Sequence, residues 1–163
     1  MRFESILAFV LLAQAPAPAS GPQVASATLN LNLGSHARLS FSATALTFPN
    51  ADPDLTPQVS SVPDSIAITA KARTTRNGQI TVTVQSTDDL RSGVTTLPAS
   101  LITWGAQGAG FLPGALSAST AELVGAWTGS GVRTGSQTFS FRNEWTHPPG
   151  TYSLTLVYTI SAP

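Results

Sequence analysis

The stretch SIAITAKARTTRNGQITVTVQS, residues 65–86, decides the fold class. Ile66, Ile68, Ala70 and Ala72 alternate with Ala67, Thr69, Lys71 and Arg73, and after Asn77-Gly78 the alternation resumes as Ile80, Val82 and Val84 against Thr81, Thr83 and Gln85. A side-chain period of two is that of a β-strand with one face buried and one face wet. Two such runs around Asn-Gly predict a β-hairpin, because this dipeptide accepts the positive backbone angles of a type I′ turn.

The pattern recurs outward in both directions. ATLNLNL (27–33) alternates Leu29, Leu31 and Leu33 with polar residues, and ARLSFSA (37–43) does the same with Leu39, Phe41 and Ala43. Beyond Ala45 the apolar residues move to even positions, Leu46 and Phe48, a phase change expected of a β-bulge or of a chain leaving one sheet for another. Further strands are expected at 101–106, at 121–127 and at 137–145, where Phe139, Phe141 and Trp145 share a face. The stretch GTYSLTLVYTI (150–160) places Tyr152, Leu154, Leu156, Tyr158 and Ile160 on one side. Slipping it by one residue would turn that whole set to water, so its register is fixed. No segment sustains a 3.6 period over ten residues. Seven or eight strands joined by turns rich in Gly, Pro, Asn and Asp predict an all-β, antiparallel, immunoglobulin-like two-sheet sandwich, with a closed barrel as the alternative. Tyr152, just after Gly150, is either a corner tyrosine whose hydroxyl bonds backbone or a plain strand aromatic.

Arg2 followed by the uncharged apolar run ILAFVLLA (6–13) and the small residues of QAPAPAS has the layout of a secretory signal peptide. The run is far shorter than the ~20 residues needed to cross a bilayer. Residues 1–19 are expected to be removed after Ala19, leaving about 144 residues (20–163) as one domain. The product is then secreted, periplasmic or on the cell surface. Export permits disulfides, but the chain has no cysteine, so packing and ladder hydrogen bonds must suffice. Net charge is zero and only 10% of residues are charged, which gives no electrostatic handle for nucleic acid or an anionic membrane. Roughly a quarter of the chain is Ser or Thr, and these hydroxyls provide its solubility.

Two regions interrupt the alternation: the proline-rich 48–65, and 105–135 with eight of the 13 glycines. Long irregular segments are where function can sit. Asn50, Asp52 and Asp54 imitate alternate oxygen ligands of a calcium loop, with Asp88-Asp89 as a further pair. The glycine and the closing bidentate carboxylate of such a loop are lacking, so these read as turn residues and no metal or other cofactor is expected. His36 and His147 stand alone, with no cysteine to complete a transition-metal set. No GxSxG elbow occurs, and nothing around Asp88, Glu122 or Glu144 marks a glycosidase pair, so no enzymatic activity is expected. Trp104, Phe111, Trp127 and Trp145 lie in or beside the loops and would form a sugar-stacking platform if exposed. Strand alternation instead places the Trp104 and Trp145 rings in the core.

The ending YSLTLVYTISAP (152–163), with Tyr152, Leu156, Tyr158, Ile160 and Pro163, resembles the closing strand of secreted bacterial Ig-like proteins grouped around WxL cell-wall-binding domains, spore-coat-U-like proteins and fimbrial subunits. Trp104 is followed by Gly105-Ala106 where a Trp-x-Leu signature would stand. The resemblance implies a non-enzymatic structural or adhesive component of a bacterial surface or matrix, partnered by other envelope proteins or surface glycans. The alternative is a carbohydrate- or wall-binding module using the four aromatics. The short link Gly34-Ser35-His36 makes ATLNLNL the expected first strand of its own, monomeric domain, although the same alternation would suit a strand lent to a neighbour.

Overall fold

The computed structural model describes residues 28–163, of which Leu33–Pro163 form one compact unit. The leader 1–19 and the cleavage point after Ala19 lie outside the described residues. All strand pairs are antiparallel. One sheet runs, in spatial order, β1 (His36–Phe41), β3 (Ile66–Arg73), β10 (Gly131–Arg142), β7 (Ile102–Gln107) and β8 (Gly114–Ala115). A short β2 (Gln58–Ser60) continues the line of β3 along β10. The second sheet is β11 (Leu156–Ser161), β4 (Gln79–Ser86) and β9 (Glu122–Thr128), and β5 (Leu90–Ser92) pairs β6 (Thr95–Leu97) as a separate ribbon. The one helical element among the described residues is a single 3₁₀ turn, Ala99–Leu101.

The inward residues of both sheets meet in one core. Ile66, Ile68, Trp104 and Phe139 of the first sheet pack in the same cluster as Ile80, Val82, Val84, Val124 and Trp127 of the second. Ile68, Ile80, Val82, Val84 and Val124 are completely buried, each stabilising the fold by roughly 1.5–3 kcal/mol relative to exposure. The alternation read from residues 66–86 thus assigns Ile66, Ile68, Ala70, Ala72, Ile80, Val82 and Val84 to the buried face correctly, and Ser86 is buried beside them. The hairpin does not form.

Instead β3 lies between β1 and β10, β4 lies between β11 and β9, and residues 74–78 carry the chain from one sheet to the other. A strand pair facing across a core shows the same alternation as a hairpin, so only the long-range partners distinguish them. Neither Asn77 nor Gly78 has a positive φ, which excludes the type I′ turn. Gly78 serves close packing: a Cβ there would collide with the Thr74 hydroxyl and come within 2.9 Å of that of Thr75. β9 and β10 cross between the sheets beside it through Gly129 (φ +77) and Ser130. The Ser130 hydroxyl joins the two crossings, accepting from Thr74 N–H and donating to Thr74 C=O, both at 2.9 Å.

Other boundaries moved as well. Residues 28–35 are in no strand, and Leu29, Leu31 and Leu33 are 93%, 77% and 59% exposed, so the expected first strand is not formed. The phase change after Ala45 corresponds to the chain leaving its sheet after Phe41, with one later bridge between Thr47 and Val62. The closing strand begins at Leu156, and before it Ser153 makes a lone bridge to Arg91. The glycine-rich 105–135 is divided between strands, the end of β7, β8, β9 and the start of β10, and the connections 108–113, 116–121 and 129–130. Its glycines clear room for aromatic rings: a Cβ on Gly135 would lie 2.5 Å from the Phe111 ring, and one on Gly114 would lie 2.6 Å from that of Trp104.

Candidate functional site

The four aromatics do not form a platform. Trp104, on β7 and paired with Phe139 of β10, is 3% exposed, and its indole N–H donates to Leu112 C=O at 2.9 Å. Phe111 is 7% exposed and packs on Trp127, with ring centroids 6.1 Å apart. Trp127 is nearly as buried. Trp145 behaves oppositely: β10 ends at Arg142, the ring leaves the Phe139–Phe141 face expected for it, and it is 70% exposed. Its N–H donates to Asp54 Oδ1 at 3.1 Å, tying the turn after β10 to the proline-rich connection. Only Trp145 among the four offers a free ring face.

The acidic residues are spent on turns. Asp52 Oδ1 accepts from Asp54 N–H at 2.9 Å, and Leu55 and Thr56 donate backbone bonds to Asp52 C=O, which closes a local turn. Asp88 pairs with Arg91 at 2.5 Å, and this hydrogen bond holds its carboxyl below the usual range. Asp89 Oδ1 accepts from Ala99 N–H at 2.8 Å, fixing the 3₁₀ turn. Glu122 accepts from the Thr120 hydroxyl at 2.6 Å, and Glu144 meets Arg142 at 3.2 Å. Asp89 and Glu122 are among the residues lining an open polar cleft of about 480 Å³, with Ser100, Ser117 and Ser119. Asp88 and Glu144 are not among its lining residues. His36 opens β1 on the exposed side, while His147 packs on the Phe141 ring at 5.6 Å, with Nε2 3.8 Å from Glu144. Among the described residues no serine contacts either histidine by a hydrogen bond, and no group of three metal-ligating side chains occurs.

The feature that the sequence did not announce is a groove of about 560 Å³ along the seam between the sheets. β1 and β11 are each the terminal strand of a sheet, and among the described residues no third strand lies across the seam between them. Phe41 on β1 and Tyr158 on β11 meet there with ring centroids 4.7 Å apart, and the Tyr158 hydroxyl reaches inward to donate to Gln137 Oε1 at 2.7 Å. Beyond this contact the chain on both sides leaves regular pairing and the seam opens. One lip carries Phe41, Leu46 and Phe48, the other Tyr152, Leu154 and Leu156, all half-buried. The floor is the buried core itself, Ile66, Ile102 and Phe139 among it. The second lip is braced from outside, where the Tyr152 hydroxyl donates to Pro148 C=O at 2.9 Å, the corner arrangement anticipated for this residue.

No protein-family model, curated protein or solved structure matches this chain.

Proposed function

We propose that the chain is an exported, immunoglobulin-like β-sandwich without catalytic activity, acting as a structural or adhesive component of a bacterial surface or extracellular matrix. One observation carries this reading: among the described residues the outer edges of β1 and β11, each paired on one side only, have no strand partner and flank an apolar groove. Such edges associate with other β-structure unless they are covered. The Tyr152–Pro148 bond supports the immunoglobulin-like assignment, since a tyrosine bonding backbone a few residues upstream stands at the corner of such sandwiches. Fractionating the source cells tests the reading. The protein belongs in the envelope or culture fluid with an intact mass starting at Ser20, and a strain lacking it should lose cohesion or attachment. Recovery from the cytoplasm with residues 1–19 attached would end it.

Trp145 favours a second reading, a module that binds surface glycans. A ring 70% exposed and held by Asp54 can stack on a sugar face while the carboxylate and Asn143 lie nearby. Because Trp104 and Trp127 are buried, a fluorescence change on adding soluble wall polysaccharide would report Trp145. Trp145→Ala should abolish it.

A further inference from the structure

We propose that one end of the first sheet binds an anionic polysaccharide, a chain of carboxylate-bearing sugars, through Arg38, Lys71, Arg73 and Arg76. The eight basic residues are dispersed along the sequence, but folding gathers five of the seven that are described. Arg38 on β1 stands directly opposite Lys71 on β3, and Arg73 is the next outward residue along β3. Arg76 follows in the crossing 74–78, and Arg133 stands level with Ala70 on β10. All five are exposed. Among the described residues the ion pairs are Arg91–Asp88, Arg142–Glu144 and His147–Glu144, so none of the five is neutralised.

The acidic residues lie at the other end of the same strands. β3 begins two residues after Asp64, β4 ends two before Asp88, β9 begins at Glu122 and β10 ends two before Glu144. Asp54 joins that end through Trp145, and Asp52 is bonded to Asp54. Seven acidic side chains, less the paired Arg91 and Arg142, leave five negative charges there against five positive ones at the crossings. The zero net charge of the chain thus conceals a separation of charge. β3 alone is about 23 Å long, well beyond the screening length of ~8 Å at physiological salt, so the acidic end does not quench the basic one. The Pro163 carboxylate accepts from the Thr74 hydroxyl beside the crossing and pairs with none of the five.

Like charges directly opposite on neighbouring strands destabilise a sheet. Arg38 and Lys71 stand so with no anion beside them in the fold, which points to one from outside. A second copy is a poor source, because six of its seven acidic side chains already accept hydrogen bonds within the chain. The neighbouring outward residues point to a glycan. Ser40, Thr69 and Thr134 form a row of hydroxyls across β1, β3 and β10, one step along from Arg38 and Lys71, able to donate to and accept from sugar hydroxyls. No outward residue of this face is Phe, Tyr or Trp, as base stacking would need, and Val132 is the only large apolar one, too little to hold a lipid surface. Guanidinium groups take carboxylates bidentately. Cations about 5–7 Å apart along and across the strands match one charge per sugar better than the one per ~1.7 Å of duplex nucleic acid.

This binding would give the adhesive role above its ligand and rests on that reading only for its setting, since purified protein reports it wherever the chain resides. Full-length protein is titrated with polygalacturonate at about 50 mM salt, with dextran as the neutral control. Binding to polygalacturonate alone is expected, and it should vanish at about 0.5 M salt. Combining Lys71→Gln with Arg73→Gln should weaken it by about tenfold and leave Tm unchanged or raised, because these charges repel one another. Arg142→Gln and Trp145→Ala, at the acidic end, should bind as the parent does. Failure of polygalacturonate to bind, or binding that the double variant leaves intact, would overturn the proposal. A fall of several degrees in Tm would do the same, by showing that the charges hold the fold. So would tighter binding of duplex DNA or of phosphatidylserine vesicles, or an oligomer in sedimentation that the double variant dissolves, which would put the acidic end of a second copy on this face. Recovery from the cytoplasm with the binding intact would instead remove only the surface role.

Discussion

Replacing Tyr158 by Phe removes one oxygen and should cost far more than a surface hydroxyl would. Gln137 is completely buried on β10, its Nε2 has no partner among the described residues, and the Tyr158 hydroxyl donates to its Oε1 at 2.7 Å. Without that hydroxyl both ends of a buried amide are unsatisfied, a penalty of about 1–3 kcal/mol, or a fall of about 4–10 °C in Tm for a domain of this size. Urea unfolding of Tyr158→Phe, Gln137→Leu and the double variant separates the bond from the general cost of mutation. Removing both partners should cost less than the sum of the single losses by about 1 kcal/mol or more. The pair also makes a pH prediction, because burial pushes the Tyr158 hydroxyl well above the ordinary tyrosine value of 10.0. Above that value the unfolded chain loses this proton and the folded chain keeps it. The stabilisation is therefore complete below pH 10 and declines as pH rises toward the folded value, by about 1.4 kcal/mol per unit. Tyr158→Phe should lack that share of the alkaline slope. A variant within 0.5 kcal/mol of the parent, estimated as the usual range of a neutral surface change, with additive double-mutant losses, would refute the bond's role.

Gly135→Ala should destabilise by about 1–3 kcal/mol in the same unfolding assay, since its Cβ would lie 2.5 Å from both Gln107 O and the Phe111 ring. Gly131→Ala on the same strand, with open space around it, should be close to neutral and serves as the control. Ser130→Ala removes both hydrogen bonds joining the two crossings and should lower stability by about 1 kcal/mol, measured by calorimetry. Adding calcium or chelator should leave Tm unchanged, because Asp52 and Asp54 are engaged with backbone and Trp145; a shift of several degrees would show a bound cation.

Local alternation made much of this molecule legible. The buried set of β3 and β4 and the inward faces of β7 and β11 are where the sequence puts them, since a period of two reports which side chains leave water. It is silent on strands of two or three residues such as β2, β5, β6 and β8, which are too short to show a period. Tyr152 was readable as a corner residue from its place after Gly150, but its bond to Pro148 needed the turn to be built. The burial of Phe111 followed from a signal that was present and easily misread: the glycines of 105–135 mark where rings press on backbone.

By itself the sequence determined an all-β chain and the inward residues of β1, β3, β4 and β11. Those properties are local, fixed by the pleat and by the cost of wetting apolar side chains. Tertiary structure alone decided which strands are partners. Residues 66–86 cross between sheets because β10 and β1 flank β3 while β9 and β11 flank β4. It also decided that the seam beside β11 stays open, since pairing joins residues far apart in the chain and one-dimensional alternation carries no record of them.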